Sequence, residues 1–204
     1  MLGSLFALEF AVLAVAPRDR TTWLMENLLV ALLLGAWIAA SRRVALSRPS
    51  IVLVFGFLAL HEIGAHYTYS EVPYESWLGS LGVSLNESFG FERNHYDRAL
   101  HFLYGLCLTY PIREVLMQVA RVRGRASHLL PVALVVGSSV LYELLELGWA
   151  WIAGDASASF LGQQGDEWDG TKDLALASAG AVLAMALHAA IDLARAPAPQ
   201  PQRL

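Results

Sequence analysis

The chain has 204 residues, 56% of them hydrophobic and only 16% charged, with a formal net charge of −4 and a mean hydropathy of +0.47. A soluble globular protein carries about a quarter charged residues, so this surface is too apolar for water, and its ample apolar content excludes disorder. The acidic balance, with 13 of the 14 cations being arginines in short scattered groups, offers no basic field to nucleic acid. A single cysteine, Cys107, excludes an internal disulfide and a thiolate metal cage. The class that remains is an all-α, polytopic transmembrane helix bundle, with residues 1–195 as one integral membrane domain and 196–204, rich in Pro and Gln, as a disordered tail.

A membrane helix needs about 20 predominantly apolar residues. The first candidate, Leu2 to Ala16, is short and interrupted by Glu9. It reads as a first span, an interfacial helix or a signal peptide; nothing basic precedes the apolar run, which favours an uncleaved short span. Five clear spans follow: Trp23 to Ala40, Ile51 to Tyr69, Asp97 to Val119, Leu129 to Ile152 and Leu174 to Ala194. The bundle therefore has six helices, or five if the first does not span. Arg42, Arg43 and Arg48, then Arg121, Arg123 and Arg125, then Arg195 and Arg203 alternate so as to share one side. The positive-inside rule makes that side cytoplasmic and places the C-terminus there. The two long connections, residues 70–96 and 153–173, carry most of the exposed acids and face outward. Arg18 and Arg20 in the first connection run against this scheme.

Ionisable groups inside membrane helices cost about 2.5 to 3.5 kcal/mol each at mid-depth on insertion scales, so they ask for a reason. The third span ends in His61-Glu62-Ile63-Gly64-Ala65-His66. This differs from the zinc-protease pattern His-Glu-x-x-His by one residue, which turns the two imidazoles about 140° apart on a helix. Glu62 and His66, four apart, do share a face. In the fourth span Asp97 and His101 repeat that spacing, and Tyr104 continues their face. The fifth span carries Glu143 and Glu146, and the last is entered through Asp166, Asp169 and Asp173 at i, i+3, i+7 spacing.

Each group has a plain structural reading: a cap with a hydrogen-bonded histidine, Glu143 and Glu146 paired with Arg98 or Lys172, or a solvated helix start favoured by the dipole. Four elements carrying carboxylates and imidazoles to one depth argue for a functional centre. Glu62, Asp97, Glu143 and Glu146 are its candidate catalytic residues. His66, His101, Asp166, Asp169 and Asp173 are its candidate metal ligands. Imidazole with carboxylate suits Zn²⁺, Mn²⁺ or Fe²⁺, whereas an all-oxygen subset such as Glu143, Asp166 and Asp169 suits Mg²⁺ or Ca²⁺. Such a centre would activate water for hydrolysis, or serve transfer, on a lipid or lipid-linked envelope substrate. Without a metal it would be a proton relay or cation site in a small transporter, or the polar groups would simply tie together a structural subunit.

Other polar positions read as structure. Ser138 and Ser139 lack a nucleophile-elbow context, and Cys107 lies in an apolar run. Glu26 and Asn27 bond neighbouring helices, although Glu26 is near enough to the outer end to join the centre. His188 and Asp192 form a pair at the cytoplasmic end. Gly180 with Ala184, and Ala177 with Ala181, form small-residue faces for close helix packing. Trp149, Trp151 and Trp168 suit an aromatic belt.

The segments HEIGAHYTY, NHYDRALHFLYG, YELLE and QGDEWDGTKD, in this order, resemble the YjdF-like family of bacterial inner-membrane proteins over roughly residues 20 to 195. More distantly, Asp97 to Tyr104, Glu143 and Glu146, and Asp169 to Asp173 with Gly180 are similar to the polar pattern of VanZ-like membrane proteins, in which a glutamine often follows at the position of Glu146. The resemblance implies a multi-pass protein of the bacterial plasma membrane and supplies no activity.

Overall fold

A computed structural model describes residues 1–40, 44–153, 164 and 166–195. The expected tail at 196–204 and most of the connection after residue 153 lie outside the described residues. Among those described, all regular structure is helical: α1 (Leu2–Leu13), α2 (Arg20–Ala40), α3 (Arg48–His66), α4 (Tyr74–Gly79), α5 (Leu85–Phe89), α6 (Tyr96–Val119), α7 (Ala126–Ala153) and α8 (Asp169–Arg195). Among the described residues, three helices, α3, α7 and α8, are long and apolar enough to cross a membrane by length and composition alone. The 12 residues of α1 reach only about 18 Å, short of a hydrocarbon core about 30 Å thick. It packs against α3 and ends before Ala16, whose left-handed φ of 48° breaks the helix.

The connection between α3 and α6, expected as an acidic loop, is built. Glu75 on α4 accepts hydrogen bonds from the Leu85 and Asn86 amides at 2.9 and 3.0 Å, tying the start of α5 back to α4. Ser84 caps α5 and Gly90, at φ 66°, closes it in the left-handed conformation. At the far end of α6, Gln118 exchanges two hydrogen bonds with the backbone of Ala45 while Glu114 accepts from the Ser47 amide. These bonds dock the start of α3 on the end of α6.

The bundle is polar inside and apolar outside. Glu26, Asn27, Glu62, Thr109, Ser139, Asp169 and Asp173 are buried, whereas Leu129, Leu141, Leu144, Leu145 and Trp151 of α7 are exposed. Lipid tails are as apolar as leucine, so helices in lipid gain by turning polar groups inward and packing small residues closely. The tightest pair is α6 with α8. Ala177, Gly180, Ala181 and Ala184 are all buried on α8, as their spacing leads one to expect. A Cβ at Gly105 would collide with the Ala177 and Ala181 backbone, and one at Gly180 with the Phe102 and Leu106 backbone. This contact sets the register that brings the polar ends of α6 and α8 together.

Candidate functional site

The first turns of α6 and α8 face each other. Asp97 and His101 lie on one, Asp173 on the other, and one ligand atom from each of the three falls within 4.8 Å of the others. His101 Nε2 is 3.6 Å from Asp97 Oδ1 and 4.0 Å from Glu143 Oε1, so Glu143 of α7 completes a four-residue group drawn from three helices. Asp173 Oδ1 and Glu143 Oε1 are buried without a hydrogen-bond partner. Gly170 leaves the space that the Glu143 carboxylate occupies, because a Cβ there would overlap it. Glu146 lies one turn further along α7, with Asp97, Glu26 and Glu143 as its charged neighbours.

The other expected ligands are placed elsewhere. Asp169, 2% exposed, binds Arg93 Nη2 at 3.0 Å and Arg98 Nη2 at 3.0 Å. Asp166 is held by Arg98 and Lys172. The cations therefore meet Asp166 and Asp169, and the described contacts of Glu143 include neither Arg98 nor Lys172. This ion-pair network joins the segment before α6 and the start of α6 to the start of α8, next to the Asp97–His101–Asp173 group. His66 Nδ1 lies 2.7 Å from the Leu13 carbonyl, and its own carbonyl accepts from the Arg18 amide at 2.9 Å, so it fastens the end of α1 to α3. Glu62 is fully buried and neither oxygen has a hydrogen-bond partner; its polar neighbours are Glu9 and Asn27.

Lys172, the Trp168 amide and Arg98 hold the Asp166 carboxyl down at about 2. A carboxyl depressed in the folded state contributes stability above its unfolded value, near 4, and that contribution is lost as pH falls through the folded value. The melting temperature of detergent-solubilised protein is thus expected to fall between pH 4 and pH 2 with a component that Asp166→Asn removes. An identical pH profile in the variant would refute this.

Glu26 is part of a second network that spacing alone does not reveal. It accepts from Tyr142 Oη at 2.8 Å and from Tyr69 Oη at 3.2 Å, and Tyr69 Oη is also 2.8 Å from His61 Nδ1. Left-handed backbone at Thr68 and Tyr69, both at φ 54°, folds Tyr69 back over α3. Its ring fills the space beside Gly64, where a Cβ would overlap it. Ser138 Oγ is used by Tyr104 Oη at 2.6 Å and by the Leu134 carbonyl at 2.7 Å.

A family described as a predicted membrane protein (DUF2238) matches residues 1–193. The chain belongs to the DUF2238 family. The inner membrane protein YjdF of Escherichia coli (strain K12) is 34% identical over 169 residues, which are 82% of this chain and 78% of that protein. No solved structure matches. The DUF2238 match runs from α1 almost to the end of α8, so Asp97, His101, Glu143 and Asp173 all fall within it. The chain is thus a membrane protein related to an inner-membrane protein.

Proposed function

We propose that Asp97, His101 and Asp173 hold a divalent cation, with Glu143 beside it, and that this centre performs metal-assisted hydrolysis or transfer on a lipid or lipid-linked substrate at the outer face of a bacterial inner membrane. The observation that carries the proposal is the convergence of three ligand atoms within 4.8 Å, next to the unpartnered buried oxygens of Asp173 and Glu143. Like-charged carboxylates gathered in a low-dielectric interior repel one another, and a cation reverses that cost. One imidazole with two carboxylates favours Zn²⁺, Mn²⁺ or Fe²⁺ over Mg²⁺. Glu143 would then be the general base: it takes a proton from water as the oxygen attacks the ester carbon or phosphorus, and returns that proton to the alcohol oxygen as the ester bond breaks.

The outward placement rests on the arginine distribution. Its one conflict lies in the first connection, where Arg18 pairs with Glu71 at 3.4 Å and Arg20 donates to the Ala14 carbonyl. A second reading, proton or cation transport, is favoured by the continuous His61–Tyr69–Glu26–Tyr142 chain of hydrogen bonds.

Elemental analysis of the purified full-length protein tests the proposal. Wild type is expected to retain about one Zn²⁺, Mn²⁺ or Fe²⁺ per chain, and Asp97→Asn, His101→Ala and Asp173→Asn each to weaken retention at least about tenfold. Absence of stoichiometric metal after reconstitution with all three ions overturns the metal centre and leaves the transport reading. A cysteine placed at the exposed Trp168 should label from outside intact cells; labelling only after permeabilisation would invert the orientation.

A further inference from the structure

A second polar cluster lies at the opposite end of the same two helices. Arg113 is 16 residues after Asp97 and Asp192 is 19 residues after Asp173, roughly 25 Å along each helix. Here Arg113 Nη1 meets His188 Nε2 at 2.6 Å, and Asp192 Oδ2 lies 3.4 Å from Arg113 Nη2, 3.5 Å from His188 Nε2 and 3.6 Å from His128 Nε2. Beside it, the N-terminal end of α7 and the last turns of α8 border an open pocket of about 590 Å³ lined by Arg125, His128, Leu129, Ala189, Asp192 and Leu193.

We propose that this cavity binds the phosphate headgroup of an anionic phospholipid, with the acyl chains running over Leu129 and Leu193. Three observations support that occupant. Two fixed positive charges, Arg113 and Arg125, stand against the single carboxylate of Asp192, which is half-exposed and balances only one of them. Arg113 Nε and His128 Nε2 are buried without a hydrogen-bond partner; of the two, His128 lines the cavity, and its Nε2, 3.6 Å from Asp192 Oδ2, is the donor a phosphate oxygen would take over. The lining pairs this basic rim with Leu129, Ala189 and Leu193, and Leu129 and Leu193 are 68% and 77% exposed at the lipid-facing surface. A free anion would have no use for that apolar wall. Basic pockets between membrane helices near an interface suit anionic headgroups for these reasons. Asp192 competes with the phosphate for Arg113, His128 and His188, so its charge sets the affinity.

Native mass spectrometry of the full-length protein, with phosphatidylglycerol and phosphatidylcholine in competition, reads the site directly. Phosphatidylglycerol should be retained about tenfold more than phosphatidylcholine. Arg125→Ala, at an exposed position, and His128→Ala should each reduce that preference at least about threefold, whereas Asp192→Asn should keep or raise it. High salt should weaken it. Equal retention of the two lipids by wild type, or a preference unchanged in both variants, overturns the proposal. Saturable stabilisation by inorganic phosphate without lipid preference overturns it too, and assigns a free-anion site instead.

Discussion

Gly105→Leu is expected to lower the melting temperature of the detergent-solubilised protein by about 6 to 12 °C, corresponding to roughly 3 kcal/mol for a chain of this size. The side chain would have to enter space already held by the Ala177 and Ala181 backbone. Backbone has no alternative rotamer, so α8 must move away as a whole. Gly180→Leu should act in the same way against Phe102 and Leu106. Gly137 on α7 has nothing within 4 Å of an added Cβ, and Gly137→Ala should be neutral or slightly stabilising. Because α6 supplies Asp97 and His101 while α8 supplies Asp173, the two leucine variants should also lose bound metal. A Gly105→Leu protein that melts like wild type would show that α6 and α8 do not pack as described.

Asp169→Ala is expected to be destabilising by about 1 to 3 kcal/mol, because the largely buried Arg93 and Arg98 lose the charge-assisted hydrogen bonds to the carboxylate they share while keeping Asp166. It also removes the acid in the first turn of α8. Its signature differs from that of Asp97→Asn. The Asp169 variant should lose stability while keeping metal affinity within a few-fold; Asp97→Asn should lose metal while keeping stability, since it relieves repulsion within an acidic group. If the two variants exchanged signatures, Asp169 would belong to the coordination group and Asp97 to the ion-pair network.

The helices follow from hydropathy because lipid imposes one requirement on every spanning segment, that its backbone be satisfied internally. The ends depend on other physics. The last helix is expected from Leu174 but begins at Asp169, since Arg93 and Arg98 neutralise the acidic turn and let it wind and bury. The third span is expected to reach Tyr69 but stops at His66, because Thr68 and Tyr69 adopt left-handed backbone. Asp97 and His101 were legible as a pair from their spacing, and the small residues of α8 from theirs. Which acids join that pair was not. The spacing of Asp166, Asp169 and Asp173 fixes a common helical face but says nothing of partners, and Arg93, in the segment before α6, takes up two of the three. His66 shares a face with Glu62, yet the Leu13 carbonyl claims its imidazole. The bond between Glu26 and Tyr142 spans 116 positions of sequence, and no local periodicity encodes it.

The glycine contact between α6 and α8 also fixes where the two polar clusters stand along α8. Asp173 lies seven residues before Gly180 and Asp192 twelve after it, so the two polar clusters lie about 10 and 18 Å from that contact along one continuous helix. A 10° tilt of α8 about that contact would shift Asp173 by about 2 Å and Asp192 by about 3 Å in opposite directions. Coordination distances hold to about 0.2 Å. A tilt of that size at the basic end would therefore exceed what a coordination group at the acidic end tolerates.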